Sequence, residues 1–432
     1  MFQSDDRRTT NDDGPTTNDD GPTTNMTKIA YFCEPQAGGT FSFFRRMQPL
    51  LVERGIDFRC IPPVTAERLT DTPWAALDGM DAVSFPETDL PVATGMLIEH
   101  LRQASYDAVM VLPGTDVLSA NLVRYLPRSI RALARVPMIT RGAYAPTQAI
   151  AAHLNRVCAV SRRVRDDLVD RYRIPQHLVE VIYNGVDVPG TLPNRSFGRS
   201  GEPFRLMYSG RIWDLDKGVL LLPDMLERVR RRGVDARLLM AGSGPDEPRL
   251  REAFARRKLD EYVQWLGGLP LDQVGEWLAQ ADCFVLPSRF EGCPNALLEA
   301  MAYGCPSVAA RIRGSVDQII EDGKSGFLAD VASPESFATR IVALAKDPDR
   351  CARVGQAARE HVMDGFTADH TASQYAAVLQ GVVSEPDHRL NEPLALNRYH
   401  VPAMMQPTWR TRIPAPLKNW ARKWLERFGI SS

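Results

Sequence analysis

From Lys28 onward the chain alternates short apolar runs with longer amphipathic stretches, and glycines mark many of the junctions. KIAYFC (28–33) leads to Gly38-Gly39 and then to helically spaced apolar residues from about Phe41 to Arg54, which reads as one βα unit. Apolar runs at DAVMVL (107–112), PMIT (137–140) and VCAVS (157–161) follow, again separated by amphipathic segments. Runs that are apolar on both faces belong in a parallel sheet covered by helices on both sides. Residues 191–202, TLPNRSFGRSGE, have the composition of a linker. Beyond them the alternation restarts with FRLMYSG (204–210), ARLLMAG (236–242), YVQWLG (262–267), DCFVLPS (282–288), PSVAA (306–310) and GFLAD (326–330). The pattern predicts an α/β protein of two Rossmann-like, doubly wound parallel-sheet domains, residues 26–195 and 203–382, facing across a cleft.

The ends of the chain read differently. Residues 1–25 repeat TTNDDGP twice, a polar stretch with nothing to bury, and are expected to be disordered. They lack the basic start and apolar middle of a secretory signal, and Met26, directly before the first strand, is a candidate physiological start. Residues 383–432 form a tail in which Leu417, Trp420, Ala421, Trp424, Leu425 and Phe428 share a helical face, with Lys418, Arg422, Lys423 and Arg427 off it.

Composition narrows the class. With 44% apolar and 24% charged residues and a net charge of -1, the chain is an ordinary globular protein with no electrostatic footprint for nucleic acid. Its apolar runs fall far short of the ~20 residues that a membrane span needs. The seven cysteines include no CxxC pair, so neither a disulfide framework nor a zinc site is indicated, and a cytoplasmic setting is expected.

Four constellations carry candidate chemistry. EGCPNALLE (291–299) joins a strand end, a helix start and two carboxylates, Glu291 and Glu299. Backbone N–H groups around Asn295, Ala296 and Leu297 sit at the positive end of the helix dipole, which suits a sugar held by its hydroxyls, and Glu299 can accept two hydrogen bonds from a ribose diol. Two ordinary surface glutamates are the plain alternative. SGRIWDLDKG (209–218) sets Arg211 and Lys217 after a strand, where two cations can clamp a pyrophosphate and neutralise a leaving nucleoside diphosphate; a pair of solvated basic residues is the alternative. Asp214 and Asp216 spell DxD in the same loop, which we read as coincidence, since a metal would compete with the two cations. The turns at Gly242-Ser243-Gly244-Pro245 and Gly267-Gly268-Leu269 let backbone approach a base or phosphate, and Gly38-Gly39 offers N–H groups from the opposite domain or is a simple βα turn.

Together these residues resemble the retaining glycosyltransferases of family four, whose two-domain fold is called GT-B. The likeness lies in the strand-GR-x5-KG loop at Arg211 and Lys217, the GxGP turn at Gly242, the stretch from Pro287 to Glu299 that includes Gly292, Cys293 and Pro294, and the GCP at 304–306. In the first half AVSRRVRDDL (159–168) and NGVD (184–187) are similar to family stretches, and the resemblance covers about residues 27–382. It implies that Glu291 contacts the donor sugar, Glu299 the ribose, Arg211 and Lys217 the diphosphate, and Gly39 the phosphates from the other side. No cofactor or metal is implied, and the leaving phosphate oxygen takes the acceptor's proton. One departure stands out: where many members carry a sugar-contacting histidine after the strand matched by PMIT, this chain has Arg141, which either binds an acidic group or is structural. His153 is expected on a helix surface rather than as a replacement.

The partners implied are a UDP- or GDP-linked sugar donor and a glycan, lipid-linked or small acceptor. The helix around 368–382 is expected to pack back on the first domain, as in relatives. The basic helix at 416–428 suits a peripheral membrane contact or docking on the protein itself. A nucleotide-sugar epimerase and a catalytically silent protein of the same fold are the rival readings.

Overall fold

The computed structural model describes residues 26–35, 39–64, 76–86, 88–191, 197 and 201–406. The repeat at 1–25, Gly38 and the basic stretch 416–428 lie outside the described residues.

Two six-stranded parallel sheets form the frame. The first contains β1 (Thr27–Phe32), β2 (Ile56–Ile61), β3 (Ala108–Val111), β4 (Arg131–Val136), β5 (Arg156–Ala159) and β6 (Val179–Val181), in the order β2-β1-β3-β4-β5-β6. Its helices are α1 (Gly39–Val52), α2 (Leu90–Gln103), α3 (Val117–Leu122), α4 (Arg141–Ile150) and α5 (Arg162–Asp166). Successive side chains of a strand point to opposite faces, so β1 buries Ile29 and Tyr31 on one side and Ala30 and Phe32 on the other. The Ile29 side receives Phe41, Phe44, Met47 and Leu51 of α1, and Tyr31 stacks on Phe44 with ring centroids 6.2 Å apart. This is the two-sided burial that the continuous apolar runs required.

The second sheet contains β7 (Phe204–Ser209), β8 (Ala236–Ala241), β9 (Val263–Gly267), β10 (Cys283–Leu286), β11 (Ser307–Ala310) and β12 (Phe327–Ala329), in the order β12-β11-β10-β7-β8-β9. It carries α6 (Asp214–Lys217), α7 (Leu222–Arg231), α8 (Glu247–Ala255), α9 (Leu271–Gln280), α10 (Asn295–Ala302), α11 (Val316–Ile319), α12 (Pro334–Ala345) and α13 (Pro348–Gly365). The chain then recrosses, and α14 (Ala368–Ser384) lays Ala372, Tyr375, Ala376 and Leu379 into the α1 face of the first sheet. The two crossings are fastened side by side: Val186 N–H donates to Phe366 O at 3.0 Å, and Ala368 N–H donates to Val186 O at 2.9 Å.

Three expectations are corrected. PMIT (137–140) is not a strand: β4 is the preceding RALARV, whose two arginines disguise it, and residues 137–140 form the loop into α4. His153 is not a helix-surface residue, because it is only 5% exposed beneath the segment that follows α14. Burial, with Arg124 and Arg389 nearby, pushes its pKa down to about 4. Residues 385–406 are not a free tail but a strap across the first domain. Asp387 pairs with Arg128 at 2.8 Å and accepts from Asn155 at 2.8 Å, Arg389 donates to the carbonyls of Leu126 and Pro127, and Tyr399 stacks on Tyr125.

Candidate functional site

In the second sheet the strand order turns back on itself between β7 and its neighbour β10, so the loops leaving their carboxyl ends diverge and open a crevice. The loop after β7 carries Arg211 and Lys217, and the loop after β10 carries Glu291. Gly218 sets their distance. It follows Lys217 with φ 61°, and a Cβ there would lie 2.3 Å from Pro287 O, so a larger residue would push the two loops apart.

Lys217 Nζ donates to Glu291 Oε1 at 2.6 Å, and the same oxygen accepts from Ser288 Oγ at 2.7 Å. Glu291 is 8% exposed, which leaves a carboxylate fixed on one side and open to a ligand hydroxyl on the other. Arg211 stays closer to solvent, paired with Asp216 at 2.7 Å and lying over the Trp213 ring. The carboxylates of the DxD are thus engaged: Asp216 by Arg211, and Asp214 by Leu220 N–H at 3.0 Å and Arg289 at 3.2 Å. Among the described residues no three His, Cys, Asp or Glu side chains gather in a cluster able to hold a metal ion.

Behind this pair the turns after β8 and β9 close in. Gly242 has φ 131°, and a Cβ on it would lie 1.9 Å from Gly210 O; a Cβ on Gly244 would lie 2.4 Å from Ile212 O. Only glycine lets the loops after β7 and β8 lie this close, and Gly242 N–H continues the ladder to Gly267 O at 2.6 Å. Leu269 is half-buried against the second domain's core.

The first domain meets this site from the carboxyl end of its own sheet. Gly292 abuts the loop after β4, where a Cβ would come 2.6 Å from Pro137 O. Arg141, four residues further, is exposed at the start of α4, whose N-cap is Thr140. Gly39 is exposed at the start of α1 with nothing within 4 Å of where its Cβ would be. Pro294 is the N-cap of α10, and Ala296 is half-buried in its first turn. Cys293 is buried, and burial pushes its thiol up to about 12, so it is neutral and no nucleophile.

Glu299 has company that the sequence did not announce. Arg46, from α1 of the opposite domain, donates to Glu299 Oε1 at 3.2 Å, to Asp187 at 3.0 Å and to Gly185 O at 3.2 Å. Burial raises the Glu299 pKa, and Arg46 offsets only part of that. Of the four charged side chains singled out, Lys217 and Glu291 touch, Arg211 is held by a neighbouring aspartate, and Glu299 lies beneath an interdomain arginine. Arg46 left no signal in the sequence, since paired arginines within an amphipathic helix read as its solvated face. Asn184 was noted only as part of NGVD, and Arg135, the second arginine of an otherwise apolar strand, was not singled out.

Residues 203–347 match the model described as "Glycosyl transferases group 1", and residues 135–188 match "Glycosyltransferase Family 4". Over these stretches the chain is similar to the family four, group 1 glycosyltransferases. Their GT-B fold is the architecture described above. The Rickettsia africae glycosyltransferase superposes with a TM-score of 0.69 at 18% identity, covering 84% of this chain and all of that one. An Anabaena protein solved with UDP-glucose gives 0.68 at 16% identity, covering 82% and 99%. A D-inositol 3-phosphate glycosyltransferase of Pseudarthrobacter chlorophenolicus is 33% identical over 202 residues, 44% of this chain and 48% of the relative. The chain spans about half the length of the curated relatives it matches. No helix among the described residues is long and apolar enough to cross a membrane.

Proposed function

We propose that the protein moves a hexosyl group from a nucleoside-diphosphate sugar, UDP- or GDP-linked, to a glycan, lipid-linked or small acceptor, with retention of anomeric configuration and without a metal. The observation that carries the reading is the Lys217–Glu291 pair at the β7/β10 crevice, with Glu299 in α10, the helix that follows the Glu291 loop. Lys217, with Arg211 at the rim, neutralises the diphosphate as the bond from the anomeric carbon to the phosphate oxygen breaks. Glu291 accepts hydrogen bonds from sugar hydroxyls and holds the ring where positive charge develops. Glu299 accepts from the ribose. The acceptor hydroxyl bonds to the anomeric carbon on the face the diphosphate leaves, and its proton passes to the departing phosphate oxygen, so no side-chain base is needed. The Arg141 guanidinium can only donate hydrogen bonds, which suits an anionic group on sugar or acceptor. The Anabaena neighbour solved with UDP-glucose supports the choice of donor class.

The test is thermal and catalytic together. UDP or GDP at one hundred times its Kd stabilises the fold by about 2.7 kcal/mol. Lys217→Ala and Glu291→Ala each lower transfer by at least about 100-fold, a loss of about 2.7 kcal/mol in transition-state stabilisation, with the fold intact by circular dichroism. Full transfer in either variant overturns the assignment.

A further inference from the structure

The NGVD stretch, 184–187, takes no part in the chemistry above, yet three parts of the molecule converge on it. Its first residue faces a fully buried cation: Arg135 is 1% exposed in β4, lies 3.8 Å over the Phe43 ring, and donates to Tyr375 Oη at 3.1 Å and to Asn184 Oδ1 at 2.8 Å. A guanidinium only donates, so Asn184 must turn its carbonyl oxygen toward Arg135 and its amide nitrogen away. That nitrogen donates to Asn295 Oδ1 at 2.8 Å and to Cys293 O at 3.3 Å, and the Asn184 backbone N–H reaches Cys293 Sγ at 3.4 Å. Cys293 lies in the loop that begins with Glu291, and Asn295 is the first residue of α10, where that loop ends. The far side of the same loop is held by Ser315 Oγ, which donates to Gly292 O at 2.9 Å.

We propose that Asn184, oriented by Arg135, is a positioning residue that fixes the sugar-facing loop 291–295 of the second domain from within the first. The proposal rests on the donor site assigned above. Because Arg135 dictates which way the amide points, the core of the first domain sets the conformation of a loop two residues before the α10 helix, and domain contact and loop order become one event.

Asn184→Ala also strips Arg135 of its acceptor and so confuses fold with position. Asn184→Asp keeps an oxygen for Arg135 and sets an anion against the Cys293 carbonyl. In that variant amide hydrogen exchange over 289–298 quickens by about tenfold, the equivalent of one ordinary hydrogen bond, while exchange in β1 and β3 is unchanged. The kcat for transfer from UDP-glucose or GDP-mannose, whichever the native protein uses, falls about tenfold, and the Kd for bare UDP or GDP moves less than about twofold. Unchanged exchange over 289–298 overturns the proposal, as does quickened exchange with native kcat. If the native protein turns over no UDP- or GDP-linked hexose, the transferase reading fails on its own, and exchange alone decides whether Asn184 holds the loop.

Discussion

At the scale of single residues, the carboxylate of Glu299, the proposed ribose acceptor, is held in place at a cost. It is buried, its pKa is raised by that burial, and Arg46 answers one of its oxygens. A ribose diol needs the ionised form, so nucleotide affinity weakens on acidification at a pH above the ordinary glutamate value of 4.5. Glu299→Gln lowers the affinity for UDP or GDP by about 10- to 100-fold, the worth of hydrogen bonds to a charged acceptor, and removes this pH dependence. Calorimetric titration at pH 5 and pH 7.5 reads both effects, and a variant with native affinity would remove Glu299 from the nucleotide site.

At the scale of elements, the strap over residues 385–406 converts a buried histidine into a measurable pH response. The folded protein holds His153 neutral down to about pH 4, whereas the unfolded chain takes up its proton near 6.5. Between those values the unfolded state binds the extra proton, so stability is complete above 6.5 and declines as pH falls through the window. His153→Gln flattens the melting temperature between pH 4.5 and 7, and a variant with the native slope would place the response elsewhere. The same element marks the border of what sequence could tell. Strands such as DCFVLPS and ARLLMAG were legible because both faces are apolar, and the EGCPNALLE loop because its glycine and proline punctuate a strand-to-helix turn. The strap was not, because it is held by Asp387, Arg389 and backbone carbonyls rather than by an apolar period. β4 was displaced by six residues because Arg135 is a core residue of a type that sequence patterns assign to the surface. Lys217, Glu291 and Glu299 stood out in the sequence as candidates, but that Arg46 reaches Glu299 from 253 positions away depends on how the domains meet.

At the scale of the whole molecule, the domains are joined by ionic contacts as well as by two chain crossings. Arg46→Ala leaves Glu299 buried beside Asp187 without a cation, and costs about 3 kcal/mol of stability. Adding Glu299→Gln removes the charge that was left unanswered, so the double variant recovers more than half of that loss in urea unfolding. Strict additivity of the two changes would show that the pair does not couple.

The returning helix α14 and the strap have a consequence for how the protein is made. Tyr375, which accepts from Arg135, and Arg389, which is 5% exposed under the first domain's loops, are among the later residues to leave the ribosome. Until they emerge, the α1 side of the first sheet stands open, with Phe43 uncovered and the Arg135 guanidinium lacking its Tyr375 acceptor. Translation therefore finishes the second domain before the first can close, and the half of the protein synthesised first is the half completed last.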